Sequence, residues 1–309
     1  MARSVFAAFV DHAIFDCLRA QMAYLLRMTI ALPFPPMMRF ALLSFALIAA
    51  LALPARAADR DKLEAFLNVT GFDVALESIR LTAGTAPQMI GMDPGAFGSE
   101  WTRLADDVFA TPVMKDLALN ILERTLSEDV LAHAASFYAS ELGQRLVVAE
   151  NASHMMEDDD TKREEGTALV AQMVEDGAPR LELIKRMNKA IDVSDTSARA
   201  LQEVQIRFLL SASAAGVVEL RLDPDELRAM MKSQEGQMRR AIQQSALSGS
   251  AYTYRDFSDE DVERYAIALE TPEMQELYEL MNAVQFEIMA NRFEVLAARM
   301  ADLHPSQDI

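Results

Sequence analysis

The chain has 309 residues, with 29 Lys and Arg against 47 Asp and Glu, a net charge of −18. So acidic a chain is a poor nucleic-acid binder, which needs clustered cations. With 51% hydrophobic and 25% charged residues the composition is globular rather than disordered. A single cysteine, Cys17, excludes a disulfide framework and any Cys-rich zinc or iron–sulfur centre.

The first feature in chain order is an export signal. Met38-Arg39 supplies a short basic end, 40–53 is one apolar run of 14 residues, and Ala55-Arg56-Ala57 is a small-x-small terminus. Cleavage is expected before Ala58, with the product in the periplasm. The run is shorter than the ~20 residues a spanning helix needs, so no stable membrane span is expected after cleavage. Residues 1–36 are a long leader for such a signal, and Met37 or Met38 is the more natural start. Residues 1–57 stand apart from the fold argument. Their removal takes away five Arg, two Asp and Cys17, leaving 252 residues, a net charge of −21 and no cysteine. That suits an oxidising compartment and excludes thiol catalysis.

Ala, Leu, Glu, Met and Gln dominate the rest, apolar residues recur at helical spacing, and period-2 runs are absent. Helices are expected near 59–81, 97–109, 112–124, 127–152, 161–190, 195–220, 223–247 and 258–302. Ser127 before Glu128-Asp129 and Ser258 before Asp259-Glu260-Asp261 are N-cap signals with carboxylates in the first turn. Asp223-Pro224 places Pro at the first helical position behind a capping Asp. Ser248-Gly249-Ser250 reads as a loop, as does the glycine-rich stretch 82–98. In the last helix Met274, Met281, Ile288 and Val295 recur every seven residues, with Leu277 and Val284 between them. Phe286, Phe293 and Met300 lie on another face. The plain reading is a long helix buried on two sides of a bundle; the alternative is a self-pairing seam and a homodimer, against which Asn291 and Arg292 count.

Residues 126–152 and 257–283 align without a gap at an offset of 131. Leu126 meets Phe257, Ser127 meets Ser258, Leu131 meets Val262, Ser140 meets Thr271, Gln144 meets Gln275, Leu146 meets Leu277, and Asn151-Ala152 meets Asn282-Ala283. Asp93-Pro94 and Asp223-Pro224 correspond at an offset of 130. The expected architecture is all-α: a bundle of two related helical modules, 58–190 and 191–303, with a short tail at 304–309.

The first copy carries Leu126-Ser127-Glu128-Asp129-Val130, then Phe137-Tyr138-Ala139-Ser140-Glu141-Leu142-Gly143-Gln144-Arg145-Leu146. This resembles the motif of the bacterial family named domain of unknown function 2059, a capped helix start followed by Phe-Tyr-x-Ser-Pro-x-Gly-x-x-Leu. Glu141 departs from its proline. The second copy keeps Thr271, Pro272 and Gln275 but has Leu269 for the tyrosine and Met274 for the glycine. The resemblance implies a secreted, mostly helical protein and no particular reaction. Physically, Ser140 and Thr271 read as the caps of fresh helices. Gly143 reads as the point of close approach to another helix. Phe137 and Tyr138 read as core at the corner.

Glu150, His154 and Asp158 lie four apart and would share one helix face, a weak oxygen–nitrogen metal candidate. The acidic run Glu157-Asp158-Asp159-Asp160 reads instead as a solvated helix end. His304 lies in the tail. Met155-Met156 and Met230-Met231 are consecutive pairs pointing apart, so methionine is expected to fill core gaps rather than bind copper. No phosphate loop or nucleophile elbow is present. The expectation is a non-enzymatic periplasmic binding or interaction protein without cofactor, taking an envelope protein or an apolar ligand between its helices. The alternative is a hydrolase or metal-dependent enzyme with its site between the two modules.

Overall fold

The computed structural model describes residues 60–90, 98–156, 159–191 and 195–303. The leader with its signal, Cys17, Asp93-Pro94, Glu157, Asp158 and His304 lie outside the described residues. In chain order come α1 (Arg60–Thr70), α2 (Phe72–Thr82), one 3-10 turn (Ala83–Thr85), the short α3 (Ala86–Met89), α4 (Gly98–Val108) and α5 (Thr111–Thr125). Then follow α6 (Glu128–Tyr138), α7 (Glu141–His154), α8 (Asp159–Glu175), α9 (Arg180–Ala190) and α10 (Asp195–Ala214). The chain ends in α11 (Pro224–Thr253), α12 (Asp259–Leu269) and the long α13 (Pro272–Met300). The fold is all-α, with no strand among the described residues.

Side-chain caps set several starts. The Ser127 and Ser258 hydroxyls accept from Val130 N and Asp261 N, three residues into α6 and α12. Asp223 and Glu226 form a reciprocal capping box at α11, with Pro224 in the first turn.

Three expected boundaries are corrected. The 59–81 helix is broken at Gly71, which takes φ 75° between α1 and α2. The 161–190 helix ends at Glu175, because Gly177 at φ 60° lets Ala178 N reach back to Met173 O at 2.9 Å. The 195–220 helix stops at Ala214 in the same way, with Gly216 at φ 75° and Val217 N bonded to Ala212 O at 2.9 Å. Both are left-handed glycine stops that recover orphan carbonyls, and Pro179 reinforces the first.

The loop expected at Ser248-Gly249-Ser250 is helix instead, since α11 runs through to Thr253. The Ser248 hydroxyl turns back onto the carbonyls of Gln244 and Ser245, so it does not compete with the helix. Its small size also serves packing. A Cβ on Gly166 of α8 would sit 2.1 Å from Ser248 O, so the two backbones nearly touch.

α13 is the axis of the bundle. It packs against α10, α6, α5 and α4, while α8 lies on α11 and α9 on α12. Met274, Leu277, Met281, Val284, Ile288, Phe293 and Met300 are all buried. The heptad file is thus filled mostly from within the chain, not left free for a second copy. Arg207 of α10 pairs with Glu287 and Glu294 of α13 at 3.0 and 2.5 Å, pinning the helices side by side. The described residues all fall in one compact unit. No helix among the described residues is long and apolar enough to cross a membrane.

Candidate functional site

Four of the six tyrosines in the chain converge on one carboxylate. Glu150 lies on α7. Tyr254 closes the end of α11 and donates to Glu150 Oε1 at 2.7 Å; Tyr265 on α12 donates to the same oxygen at 2.9 Å. Behind Tyr265, its hydroxyl meets that of Tyr138, at the end of α6, at 3.1 Å and that of Tyr278, on α13, at 3.0 Å. Tyr138 and Tyr278 close the triangle at 2.5 Å. The Tyr265 proton goes to Glu150, so two protons remain for the three contacts among the hydroxyls, and one of those contacts carries no hydrogen. Rings pack the network: Phe137 stacks on Tyr265 at 5.8 Å, and Tyr254 meets Tyr265 edge-on at 5.9 Å.

Burial dominates the electrostatics. It pushes the Glu150 carboxyl up to about 7, although both tyrosine hydrogen bonds favour the ionised form. The tyrosines are held well above their usual range by the same desolvation. No ion pair to Glu150 exists among the described residues. Both tyrosines bind Oε1, which leaves Oε2 without a hydrogen bond but not sealed from the space beside it.

That space is a cavity of about 310 Å³. Glu150, Tyr254, Tyr265 and Tyr278 form its polar side, with His154, one turn along α7, at its rim. Met187, Ile191, Leu269 and Met281 supply apolar wall, and Phe72 adds a ring. Gly71 permits α7 to come close, since a Cβ there would stand 2.5 Å from Asn151 Oδ1. Desolvation, then the Lys162 charge, holds His154 below its ordinary value.

Of the weak metal candidates, the structure brings Glu150 and His154 to one cavity, while Asp158 lies outside the described residues. Among the described residues no three His, Cys, Asp or Glu side chains group as a metal site. The cavity hydroxyls are engaged elsewhere: Thr253 donates to Ser153 Oγ at 2.8 Å and Ser250 to Asn188 Oδ1 at 2.9 Å.

The motif residues build the corner beside this network. Ser140 Oγ accepts from Gly143 N at 3.1 Å and caps α7. A Cβ on Gly143 would lie 2.3 Å from Phe137 O and 2.6 Å from Tyr138 Cα, so the helix it lets close in is α6, immediately before the corner. Gln144 Nε2 donates to Tyr138 O at 2.7 Å, tying the corner shut. In the second segment Thr271 makes no side-chain cap; it donates to Ala268 O at 2.8 Å and lies 3.3 Å from His133 Nε2. Pro272 opens α13 and Gln275 is exposed.

Residues 113–172 match the family model described as "Uncharacterized protein conserved in bacteria (DUF2059)". That 60-residue segment of the 309 is similar to this family. It runs from the first turn of α5 into α8 and contains Tyr138, the Ser140–Gln144 corner, Glu150 and His154. No curated protein and no solved structure matches the chain.

The sequence reading missed Tyr254, Tyr265 and Tyr278. Each sits at ordinary core spacing on a separate helix, so no local pattern links them. The usable signal was scarcity: with only six tyrosines, a tyrosine inside the motif invites a search for the others.

Proposed function

We propose that this is an exported, non-enzymatic binding protein whose cavity beside Glu150 takes a small, partly apolar ligand. The single observation that carries this is the built polar wall: a carboxylate with one oxygen fixed by two tyrosines and the other left open to the cavity. A cavity of about 310 Å³ is at the small end of ligand sites, which combine apolar walls with a few placed polar groups. The 38–57 signal pattern, with a cysteine-free remainder, supports export to the periplasm. The ungapped match at an offset of 131, with its paired caps, supports two related helical segments. Failure of 126–152 to superpose on 257–283 would end the duplication reading.

The enzymatic alternative keeps one argument, that Glu150 and His154 share the cavity. Against it, the Ser153 hydroxyl is bonded to Thr253 rather than to a base, and His154 has no hydrogen bond among the described residues.

Native mass spectrometry of the protein, purified after expression from the full sequence in a bacterial host, tests the reading. A stoichiometric small molecule that is lost when the cavity is filled by Gly249→Leu supports it. Stoichiometric zinc or iron would shift the assignment to the metal enzyme.

A further inference from the structure

We infer that the cavity ligand is a cationic amine: an ammonium group that pairs with Glu150 Oε2, carried on an apolar or aromatic body. The inference rests on the binding reading above and names its ligand class.

Three observations point the same way. First, Glu150 is a carboxylate without a cation. Its Oε1 is saturated by Tyr254 and Tyr265, its Oε2 opens on the cavity, and no Lys or Arg lines that cavity. A desolvated carboxylate gains most from a donor that brings its own positive charge. Secondly, the walls beside it are aromatic. Tyr254, Tyr265, Tyr278 and Phe72 line the same space, and a cation over such faces gains roughly 0.5–2 kcal/mol. Thirdly, the charges select by sign. His154, which also lines the cavity, is held toward its neutral form by desolvation and by Lys162, and the chain is net −18. An anion would meet Glu150 and an acidic surface together. The apolar part of the lining, Met187, Ile191 and Met281, takes the hydrocarbon part.

The test is calorimetric titration of the full chain at pH 7.5 with three probes of one shape: phenethylammonium, 2-phenylethanol and 3-phenylpropionate. The ammonium is expected to bind at least tenfold more tightly than the alcohol, and the carboxylate not measurably. In Glu150→Gln the ammonium falls to the level of the alcohol. Gly249 lines the cavity and has no heavy atom within 4 Å of a Cβ placed on it, so Gly249→Leu adds bulk at the cavity wall without a clash at its Cβ. That variant is expected to lose all binding with an equal or higher melting temperature.

Equal binding of alcohol and ammonium, or full ammonium affinity in Glu150→Gln, overturns the amine assignment and leaves the cavity reading standing. Ammonium binding that survives Gly249→Leu overturns both. Absence of binding by any of the three probes overturns the amine assignment, and the co-purification result judges the cavity on its own.

Discussion

The segments α6–α7 and α12–α13 share a plan and differ in chemistry. Each has a capped 11-residue helix, a two-residue corner and a second helix, with starts at 128 and 259, then 141 and 272, offset by 131. Leu131, Leu146 and their partners Val262 and Leu277 are buried alike. At the network positions the two diverge in alternation. Tyr138 and Glu150 stand opposite Leu269 and Met281, whereas Tyr265 and Tyr278 stand opposite Ala134 and Val147. Each segment contributes two polar members where the other has apolar side chains. The shared part is the scaffold of caps and corners; the site exists only where both segments meet.

The corners offer the sharpest way to break the comparison. Gly143 has backbone, not flexible side chain, at 2.3 and 2.6 Å from its missing Cβ, so nothing can give way cheaply. Gly143→Val is expected to cost about 3 kcal/mol or more by overpacking, or to prevent folding. The milder Gly143→Ala keeps the effect measurable by urea denaturation. The aligned Met274 is fully buried, and Met274→Ala there leaves a cavity costing about 2–5 kcal/mol. Similar losses from opposite volume changes would show that the two corners are packed by different means. A harmless Gly143→Ala would refute the close approach.

Next in size is the network. Tyr138→Phe removes a hydroxyl that meets both Tyr265 and Tyr278 in a buried setting, and is expected to destabilise by about 1–2 kcal/mol. At the aligned Leu269 there is no hydroxyl to lose. Tyr265→Phe removes a donor from Glu150, so the Glu150 carboxyl should titrate still higher in that variant, visible by carbon-13 NMR of the labelled side chain.

Glu150 also sets a pH dependence that the aligned Met281 lacks. The folded protein holds the carboxyl proton up to about pH 7, against an ordinary value of 4.5. Between these values the folded state binds more protons than the unfolded one, so stability is highest below the window and falls as pH rises through it. Glu150 is only half-buried, so solvent screens the effect, which is expected to be roughly 1–3 kcal/mol. The groups facing Glu150 are Tyr138 of α6, Tyr254 at the end of α11, Tyr265 of α12, Tyr278 of α13 and, on its own helix, His154. The tyrosines stay neutral across the window. His154, its value lowered, charges only toward the acid side, so it opposes the stability gained there. The difference between native and Glu150→Gln unfolding free energies from pH 4.5 to 8 isolates the carboxylate; a flat difference would show Glu150 to be solvated.

Much of the scaffold was legible because it is written in local chemistry. Ser127, Ser258 and Asp223 announce helix starts through their own side chains, and the corner at Ser140 follows from a cap inside an apolar run. The glycine stops at 177 and 216 were equally local and were overlooked inside periodic stretches. The loop wrongly expected at 248–250 shows the limit of composition: whether Ser-Gly-Ser is a turn or a close helix crossing depends on Gly166, more than 80 residues away. The site was half visible. Glu150 and His154 stood out by their spacing on α7. What makes Glu150 unusual is a network of four tyrosines brought from α6, the end of α11, α12 and α13, and no one-dimensional pattern carries that.

The smallest expected effect compares the two caps. Ser140 accepts a backbone hydrogen bond from Gly143, whereas Thr271 sends its hydroxyl back to Ala268 O and leaves the first turn of α13 to Pro272, which has no N–H to satisfy. Ser140→Ala is therefore expected to cost about 1 kcal/mol, the usual worth of a serine cap. Thr271→Ala removes no cap and is expected to cost about 0.5 kcal/mol or less, part of it the lost contact with His133. Urea midpoints of the two variants decide the matter. Equal losses would mean that the two corners start their helices by one mechanism, and the division of labour between serine and proline would have to be abandoned.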